Sequence, residues 1–277
     1  MSDFAASNAY TPPAPSRFRL QPDRKAEAAR RRRMLRDLDR AIASDTPSLQ
    51  FWPRLALHDN ALLAAEASWR WSHRRHGTLP GAALIELAGD TPLGERLAIW
   101  ALLRACRTAA AWPSNCVLSL RIPSILLPAM RLLQQIEAVL SESGIEPERL
   151  ELRLTEAQLA QMEGADILAL SSLRDLGIGI ALAQFGTGET SLGLLRRLPI
   201  STVILAADLL RHLPRDLEDG GILQAILHAV QGLGLSSVAC GVERPAQRDF
   251  LIRLGCEAAQ GPLMSATSAW ASQLTPC

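Results

Sequence analysis

The sequence predicts an α/β fold, a (β/α)8-type barrel preceded by an N-terminal helix. Beyond Pro47, short β-rich runs alternate with helix-length segments, which is typical of a parallel sheet covered by helices. Several runs, such as 178–183, are apolar on both faces, as strands buried on both sides must be. About eight such strands in roughly 230 residues favour a closed barrel over an open sheet.

The predicted strands are bounded by turn residues and rich in β-branched or apolar side chains. They cover 49–57, 62–71, 116–123, 150–155, 178–185, 202–207, 236–241 and 257–260. Between most of them, apolar residues recur at steps of three and four, which indicates helices. These stripes run from Leu93 to Trp112, from Leu132 to Leu140 and from Ala225 to Val230.

The N-terminal part differs in composition from the barrel. Residues 1–21 are rich in Ala, Pro and Ser and are predicted to be a disordered tail. A basic amphipathic helix is predicted over 22–44, where apolar residues follow a helical stripe and four consecutive arginines supply positive charge. The barrel domain is expected over 45–272, followed by a short tail, 273–277.

Composition excludes some function classes. A net charge of +1 gives no global field that would steer the protein toward polyanions. No run approaches the roughly 18 apolar residues of a membrane span, so we expect no membrane insertion. The five cysteines are widely spaced and form no CxxC pair, so we expect neither disulfides nor a zinc site, and a cytoplasmic location.

The carboxyl ends of barrel strands are where catalytic residues lie. A divalent-metal hydrolase needs several convergent carboxylates there, because hard cations take oxygen ligands. Glu66 is the one carboxylate at the expected depth, with Arg153 facing it, and no histidine falls at a strand end. The two residues are expected to form an ion pair; the alternative is that Arg153 and Arg70 grip a phosphate without metal.

From about residue 35 to 272 the sequence resembles the EAL domain of bacterial cyclic-di-GMP phosphodiesterases. The resemblance rests on blocks in the family's order and spacing: 173–178 running into 185–188, then 194–199, 241–243, 246–247, 254–256 and 260–261. It implies a modified barrel whose first strand runs antiparallel to the rest. It also implies an active site that uses Mg²⁺ or Mn²⁺.

Part of the family's site is kept. The resemblance assigns metal binding to Glu66, within Glu66-Ala67-Ser68 where the family has Glu-Ala-Leu, and phosphate contact to Arg70. Glu243 and Gln260 also match family positions. Loop support is assigned to Glu156, and the segment Phe185-Gly186-Thr187-Gly188 matches a family loop that contributes to dimerisation, so a homodimer is one expectation.

At other positions of the family's site, this sequence has residues of a different type. Ser119 stands for a metal-binding asparagine, Arg153 for a metal-binding glutamate, Ala183 and Gln184 for paired aspartates, Ile204 for a lysine and Cys240 for a glutamate. Two-metal hydrolysis clamps both the attacking and the leaving oxygen. We therefore expect no bound metal and a degenerate, catalytically inactive EAL domain.

Such a protein is expected to act as a regulator in cyclic-di-GMP-related signalling through contacts with a protein whose identity the sequence leaves open. One alternative is a metal-independent cyclic-di-GMP receptor that uses Glu66, Arg70, Arg153, Glu243 and Gln260, although the depleted metal and guanine determinants argue against it. Weak residual phosphodiesterase activity is the other alternative.

Three further features of the sequence have more than one functional interpretation. Arg30, Arg31, Arg32 and Arg33 form either a solvated helix face or a contact for a protein or nucleic acid, while a membrane surface is disfavoured by the lack of large aromatics opposite them. His73 and His76 are expected in a solvated loop, with metal binding as the alternative. Cys240 is expected to be a small buried residue, not a nucleophile.

Overall fold

A computed structural model describes residues 24–89, 91–113, 115–127, 129–186 and 192–267. Its strands are β1 Ser48–Ala56, β2 Leu62–His73, β3 Gly77–Pro80, β4 Val117–Arg121, β5 Leu150–Thr155, β6 Gly179–Phe185, β7 Thr202–Leu205, β8 Ser236–Cys240 and β9 Ala258–Gln260. Its helices are α1 Arg24–Ala43, α2 Gly81–Ala88, α3 Pro92–Ala110, α4 Ala129–Ser143, α5 Glu156–Ala160, α6 Gly164–Asp175, α7 Leu192–Leu195, α8 Leu217–Gly232, α9 Pro245–Arg253 and α10 Pro262–Thr267. Within these residues, no helix has the length and apolarity needed to cross a bilayer.

Eight of the strands close into a barrel. β1 is antiparallel to both of its neighbours, β2 and β9, and closes the sheet between them. The pairings from β2 through β4 and on to β9 are all parallel. The predicted modified barrel with a reversed first strand is confirmed.

One strand was not predicted. β3 pairs with the outer end of β2, beyond the barrel, and β2 extends to His73 to meet it. The four residues of β3 include one glycine and one proline and show no alternation of apolar residues, so the sequence carries no strand signal there.

The direction of side chains along the strands decides what fills the barrel. Residues that face the helices form the main core, because both faces of a parallel strand are covered. Part of the interior is apolar, where Ala181, Ile204, Val238 and Ala258 meet in a small cluster. Other interior positions carry polar or charged side chains that form the candidate site: Arg54, Glu66, Ser119, Glu151, Arg153 and Gln260.

α1 is part of the packed body. Leu38 is fully buried and lies in a cluster with Trp69, Trp71 and Leu97 on the outer face of β2 and on α3. Arg31 donates two hydrogen bonds, of 3.0 and 2.8 Å, to the carbonyl of Leu87 in the last turn of α2. α1 spans Arg24–Ala43, within the segment 22–44 where a helix was predicted, while the predicted tails at 1–21 and 273–277 lie outside the described residues.

Replacing Leu38 by alanine should therefore loosen α1. Leu38 has no solvent exposure, and removing a buried leucine side chain costs about 2–5 kcal/mol through lost transfer energy and the cavity left behind. Urea unfolding followed by circular dichroism measures the change. Leu168→Ala, at a position that is 70% exposed, is the matched control and should change stability by less than about 0.5 kcal/mol; equal effects of the two variants would contradict the packing of α1.

Candidate active site

Four strands, β2, β5, β8 and β9, bring side chains together toward the carboxyl end of the barrel. Glu66 of β2 lies next to Ser119 of β4 in parallel register, and Cys240 of β8 lies next to Gln260 of β9. Arg153 of β5 reaches Glu66 across the interior. The predicted strand-end residues Glu66, Arg153, Cys240 and Gln260 thus converge at one place, here called the barrel mouth.

The Glu66 carboxylate is neutralised within the protein. The Arg153 guanidinium forms an ion pair with Glu66 Oε2, and Gln260 Nε2 donates a 2.7 Å hydrogen bond to the same oxygen. Burial alone would raise the pKa of Glu66, but the attraction of Arg153 and the hydrogen bonds lower it. The carboxylate is therefore ionised, and the position where a cation would approach it is taken by Arg153, as the ion-pair interpretation of the sequence predicts.

Cys240 lies beside this pair. Gln260 Nε2 also approaches the Cys240 sulfur at 3.5 Å. Burial raises the pKa of the Cys240 thiol, and the nearby Glu66 charge acts in the same direction. A protonated thiol is a weak nucleophile, and Cys240 is half-buried where a small buried residue was expected.

A second ion pair lies deeper in the barrel. Arg54 of β1 donates hydrogen bonds of 3.0 and 2.7 Å to the two carboxylate oxygens of Glu151 on β5. Ser119 joins them, donating to Glu151 at 2.6 Å and lying 3.2 Å from an Arg54 nitrogen. Burial would raise the pKa of Glu151, but Arg54 and Ser119 lower it to about 2. Ser119, which aligns with a metal ligand, is thus engaged in this deeper network.

Sequence reasoning missed Arg54 and Glu151. A signal existed for Glu151: in β5, Glu151 and Arg153 alternate with Leu150, Leu152 and Leu154, so two charged residues share the interior face of a strand whose other face is apolar. The sequence signal for Arg54 is weaker, because its partner Glu151 is 97 residues away and belongs to a strand on the other side of the barrel.

The other positions implied by the resemblance have no ionisable side chain. Ala183 and Ile204 are buried. Gln184 is exposed, with a positive φ of 61°, at a register shift in the pairing of β6 with β7.

Two of the residues predicted to hold a ligand, Arg70 and Glu243, are exposed. Arg70 lies on β2 beyond Glu66, and Glu243 follows the end of β8.

The loop-support prediction has a structural counterpart. Glu156, the first residue of α5, accepts a 3.1 Å hydrogen bond from the backbone N–H of Gly186. Phe185 is buried in the main core, and Gly186 has a φ of 94°, where a side chain would be strained. The predicted loop residues Thr187 and Gly188 lie outside the described residues.

The donor set does not fit the Mg²⁺ or Mn²⁺ that the family implies. Hard divalent cations need several oxygen ligands with balancing negative charge. Glu66 already has a cationic partner, Glu151 is held by Arg54, and the neighbouring positions are Ala183, Ile204 and Cys240. In the described parts of the chain, no three His, Cys, Asp or Glu side chains are grouped so that they could hold a metal ion.

The expectation of a solvated loop at His73 is wrong. The His73 side chain is only 12% exposed, because it lies at the end of β2 under α1 and its Nε2 is 3.5 Å from Asp37 Oδ2. Its Nδ1 accepts a hydrogen bond from the Arg75 backbone N–H. The four arginines at 30–33 are exposed, and Arg31 is the one whose side chain bonds to α2.

Comparison with known proteins decides the family. The family model described as the EAL domain matches residues 35–267 of the chain, which is most of its length. The chain belongs to the EAL domain family.

Relatives of this EAL domain occur in larger signalling proteins. It is 30% identical over 243 residues to the bifunctional diguanylate cyclase/cyclic di-GMP phosphodiesterase MucR of Pseudomonas aeruginosa, covering 86% of this chain and 36% of MucR. It is 34% identical over 236 residues to the cyclic di-GMP phosphodiesterase NbdA of the same organism, covering 84% of this chain and 30% of NbdA. The chain thus spans about a third of the length of these relatives.

Solved structures agree with this fold. The structure of the PaMucR phosphodiesterase in complex with c-di-GMP superposes with a TM-score of 0.77 at 30% identity, covering 84% of this chain and 96% of that one. The EAL domain of Mycobacterium smegmatis DcpA gives a TM-score of 0.67 at 27% identity, covering 79% and 92%.

Replacing Glu151 by glutamine should destabilise this EAL domain strongly. Arg54 would keep its charge in the interior without a counter-charge, and breaking a buried pair from one side costs about 3–5 kcal/mol. The combined Arg54→Met and Glu151→Leu variant should recover most of that loss, because no charge remains to be desolvated. Urea unfolding of both variants and the parent measures these changes.

Arg107→Gln is the matched control for that experiment. It breaks the Arg107–Glu142 pair, whose side chains are 55% and 57% exposed, and should cost less than about 1 kcal/mol. If the Glu151→Gln variant is no less stable than this control, the interior ion pair does not contribute to the free energy of unfolding.

Proposed function

We propose that this EAL domain has lost phosphodiester hydrolysis and acts as a regulator in cyclic-di-GMP signalling through contacts with another protein. The observation that carries the proposal is the ion pair at the barrel mouth, in which the Arg153 guanidinium is bound to the one carboxylate that matches a family metal ligand, Glu66.

Electrostatics supports the loss of hydrolysis. A divalent cation approaching Glu66 would meet the positive charge of Arg153 at contact distance, inside a buried site where charges are poorly screened. Displacing Arg153 from Glu66 would leave its guanidinium in the interior without its counter-charge. The apolar side chain of Ile204 also offers no group to orient an attacking water.

The retained fold supports a role in binding. The packing core of the barrel is intact, and the Glu156–Gly186 hydrogen bond that orders the end of β6 is present although the neighbouring Ala183 and Gln184 carry no acid. A barrel that lacks catalytic residues still has surfaces that can bind another protein, because function depends on sites and not on the fold. The link to cyclic-di-GMP signalling rests on family membership and on relatives named as cyclic di-GMP phosphodiesterases.

The full chain should not hydrolyse cyclic-di-GMP in the presence of Mg²⁺ or Mn²⁺. The expected product formation equals that of a protein-free blank over hours at micromolar protein, measured by chromatography of the nucleotides. A known active EAL phosphodiesterase run in parallel shows that the assay works. Turnover that rises with protein concentration and disappears with chelator would refute the proposed loss of activity.

A second candidate is a receptor that binds cyclic-di-GMP without metal. The exposed arginines Arg70 and Arg121 at strand-end positions favour it, since a guanidinium donates two parallel hydrogen bonds to a phosphate and Arg153 already supplies the charge that a metal would bring.

Calorimetric titration separates the two candidates. If the regulator acts only through protein contacts, cyclic-di-GMP at high micromolar concentration should give no binding heat, with or without Mg²⁺. The receptor would be established instead by binding heat that persists in the presence of chelator and is lost in the Arg70→Gln variant. The control is Arg174→Gln, which changes an exposed arginine of α6 and should keep the binding heat.

A further inference from the structure

A strongly basic surface forms where α1 meets the turn between β2 and β3. Its members are all exposed arginines, and together they are called the arginine surface here: Arg30, Arg33 and Arg40 of α1 with Arg74 and Arg75 of the turn. It uses none of the residues at the barrel mouth.

One side-chain contact connects α1 with the turn between β2 and β3. His73, the last residue of β2, lies 3.5 Å from Asp37 on α1, so the turn residues that follow His73 begin beside the middle of the helix. Helical periodicity places Arg33 and Arg40 one turn before and after Asp37, and Arg30 two turns before it, on the same side. The helix part of the surface is therefore about 15 Å long, at 1.5 Å per residue.

The acidic residues nearby do not cancel this charge. Among the α1 residues whose side chains the structure describes, 28–43, Asp37 is the one carboxylate on this side of the helix, and it already faces Arg40 at 3.9 Å as well as His73. Asp39 lies on the other flank of the helix, where it pairs with Arg96 of α3. The surface thus has five exposed arginines and one described carboxylate, Asp37, although the net charge of the whole chain is only +1.

The surface is rigid. Leu38 and Ala41 hold the inner face of α1 against Trp69, Trp71 and Leu97, and Arg31 fixes the helix to the end of α2. The helix backbone that carries Arg30, Arg33 and Arg40 is therefore fixed by packing, so these arginines do not belong to a flexible basic tail.

From this arrangement we propose that the arginine surface binds the phosphate backbone of double-stranded nucleic acid. Arginine matches phosphate oxygens with paired hydrogen bonds, and a surface with three arginines along a helix and two more in the adjoining turn suits the regular charge of a duplex. Single strands are bound largely by aromatic stacking, and the tryptophan nearest the turn, Trp71, is buried. Contacts to phosphates alone carry no sequence information, so binding is non-specific.

An anionic membrane fits the surface less well. Helices that bind membranes combine basic residues with an apolar face that inserts between the lipids. On α1 that face, with Leu35, Leu38 and Ile42, is committed to the tryptophan cluster. The exposed large apolar side chains of the described residues lie elsewhere, at Leu63, Met130, Leu168, Leu176, Ile222 and Ile252.

Fluorescence anisotropy of a labelled 30-base-pair duplex of arbitrary sequence, titrated with the full chain, tests the proposal. At physiological salt we expect dissociation constants of about 1–100 µM, the usual range for non-specific binding. Each phosphate contact contributes about −0.9 to the slope of log K against log salt concentration, so five arginines should give a slope of about −4 to −5.

The Arg33→Gln/Arg74→Gln variant removes one arginine from each element. It should bind at least about tenfold more weakly and reduce the magnitude of the slope by about 2. The control is Arg107→Gln/Arg131→Gln, which removes two exposed arginines from α3 and α4 and should bind like the parent. Urea unfolding checks that both variants are folded.

Three results would overturn the proposal. One is the absence of any anisotropy change up to 100 µM protein at low salt. Another is an equal loss of affinity in the control variant, which would mean diffuse attraction without a defined surface. The third is tighter binding to phosphatidylserine-containing vesicles, or to polyglutamate, than to the duplex, which would assign the surface to a membrane or to an acidic protein.

Discussion

The interior of the barrel depends on the pairing of four buried charges. Arg54 with Glu151 and Arg153 with Glu66 occupy adjacent depths of a space closed by eight strands, where an unpaired ion would cost several kcal/mol. Each guanidinium enters from one strand and meets its carboxylate on another, so the two pairs also connect strands that are not neighbours in the sheet. The barrel can contain charge only because that charge is balanced internally.

This balance defines the chemistry left at the barrel mouth. The two carboxylates are ionised, and both are already bound to guanidinium groups, so neither has charge left for a cation. Ser119 donates its hydroxyl to Glu151, and Gln260 donates its amide to Glu66. The exposed charged side chains near this end of the barrel include Arg70, Arg121 and Glu243.

The sequence predicted the barrel well and the interior only in part. Strand positions could be found because runs such as 150–155 and 178–185 are apolar and bounded by turns, and the order of these runs determines a parallel barrel. The Glu66–Arg153 pair was within reach because both residues lie on predicted strands at positions that the resemblance aligns with metal ligands. The Arg54–Glu151 pair was not, since it joins residues 97 positions apart and depends on which face of β1 points into the barrel. Similarly, β3 exists only because β2 extends past the barrel and offers it an edge.

The pairing of the interior charges has a consequence for how this barrel tolerates substitution. Because Arg54 holds Glu151 and Arg153 holds Glu66, a single substitution that put an acid at position 153 would place like charges together in the interior. Such a variant would be less stable than the parent. Residues 66 and 153 are therefore energetically coupled, and a change at one of them is best tolerated together with a compensating change at the other.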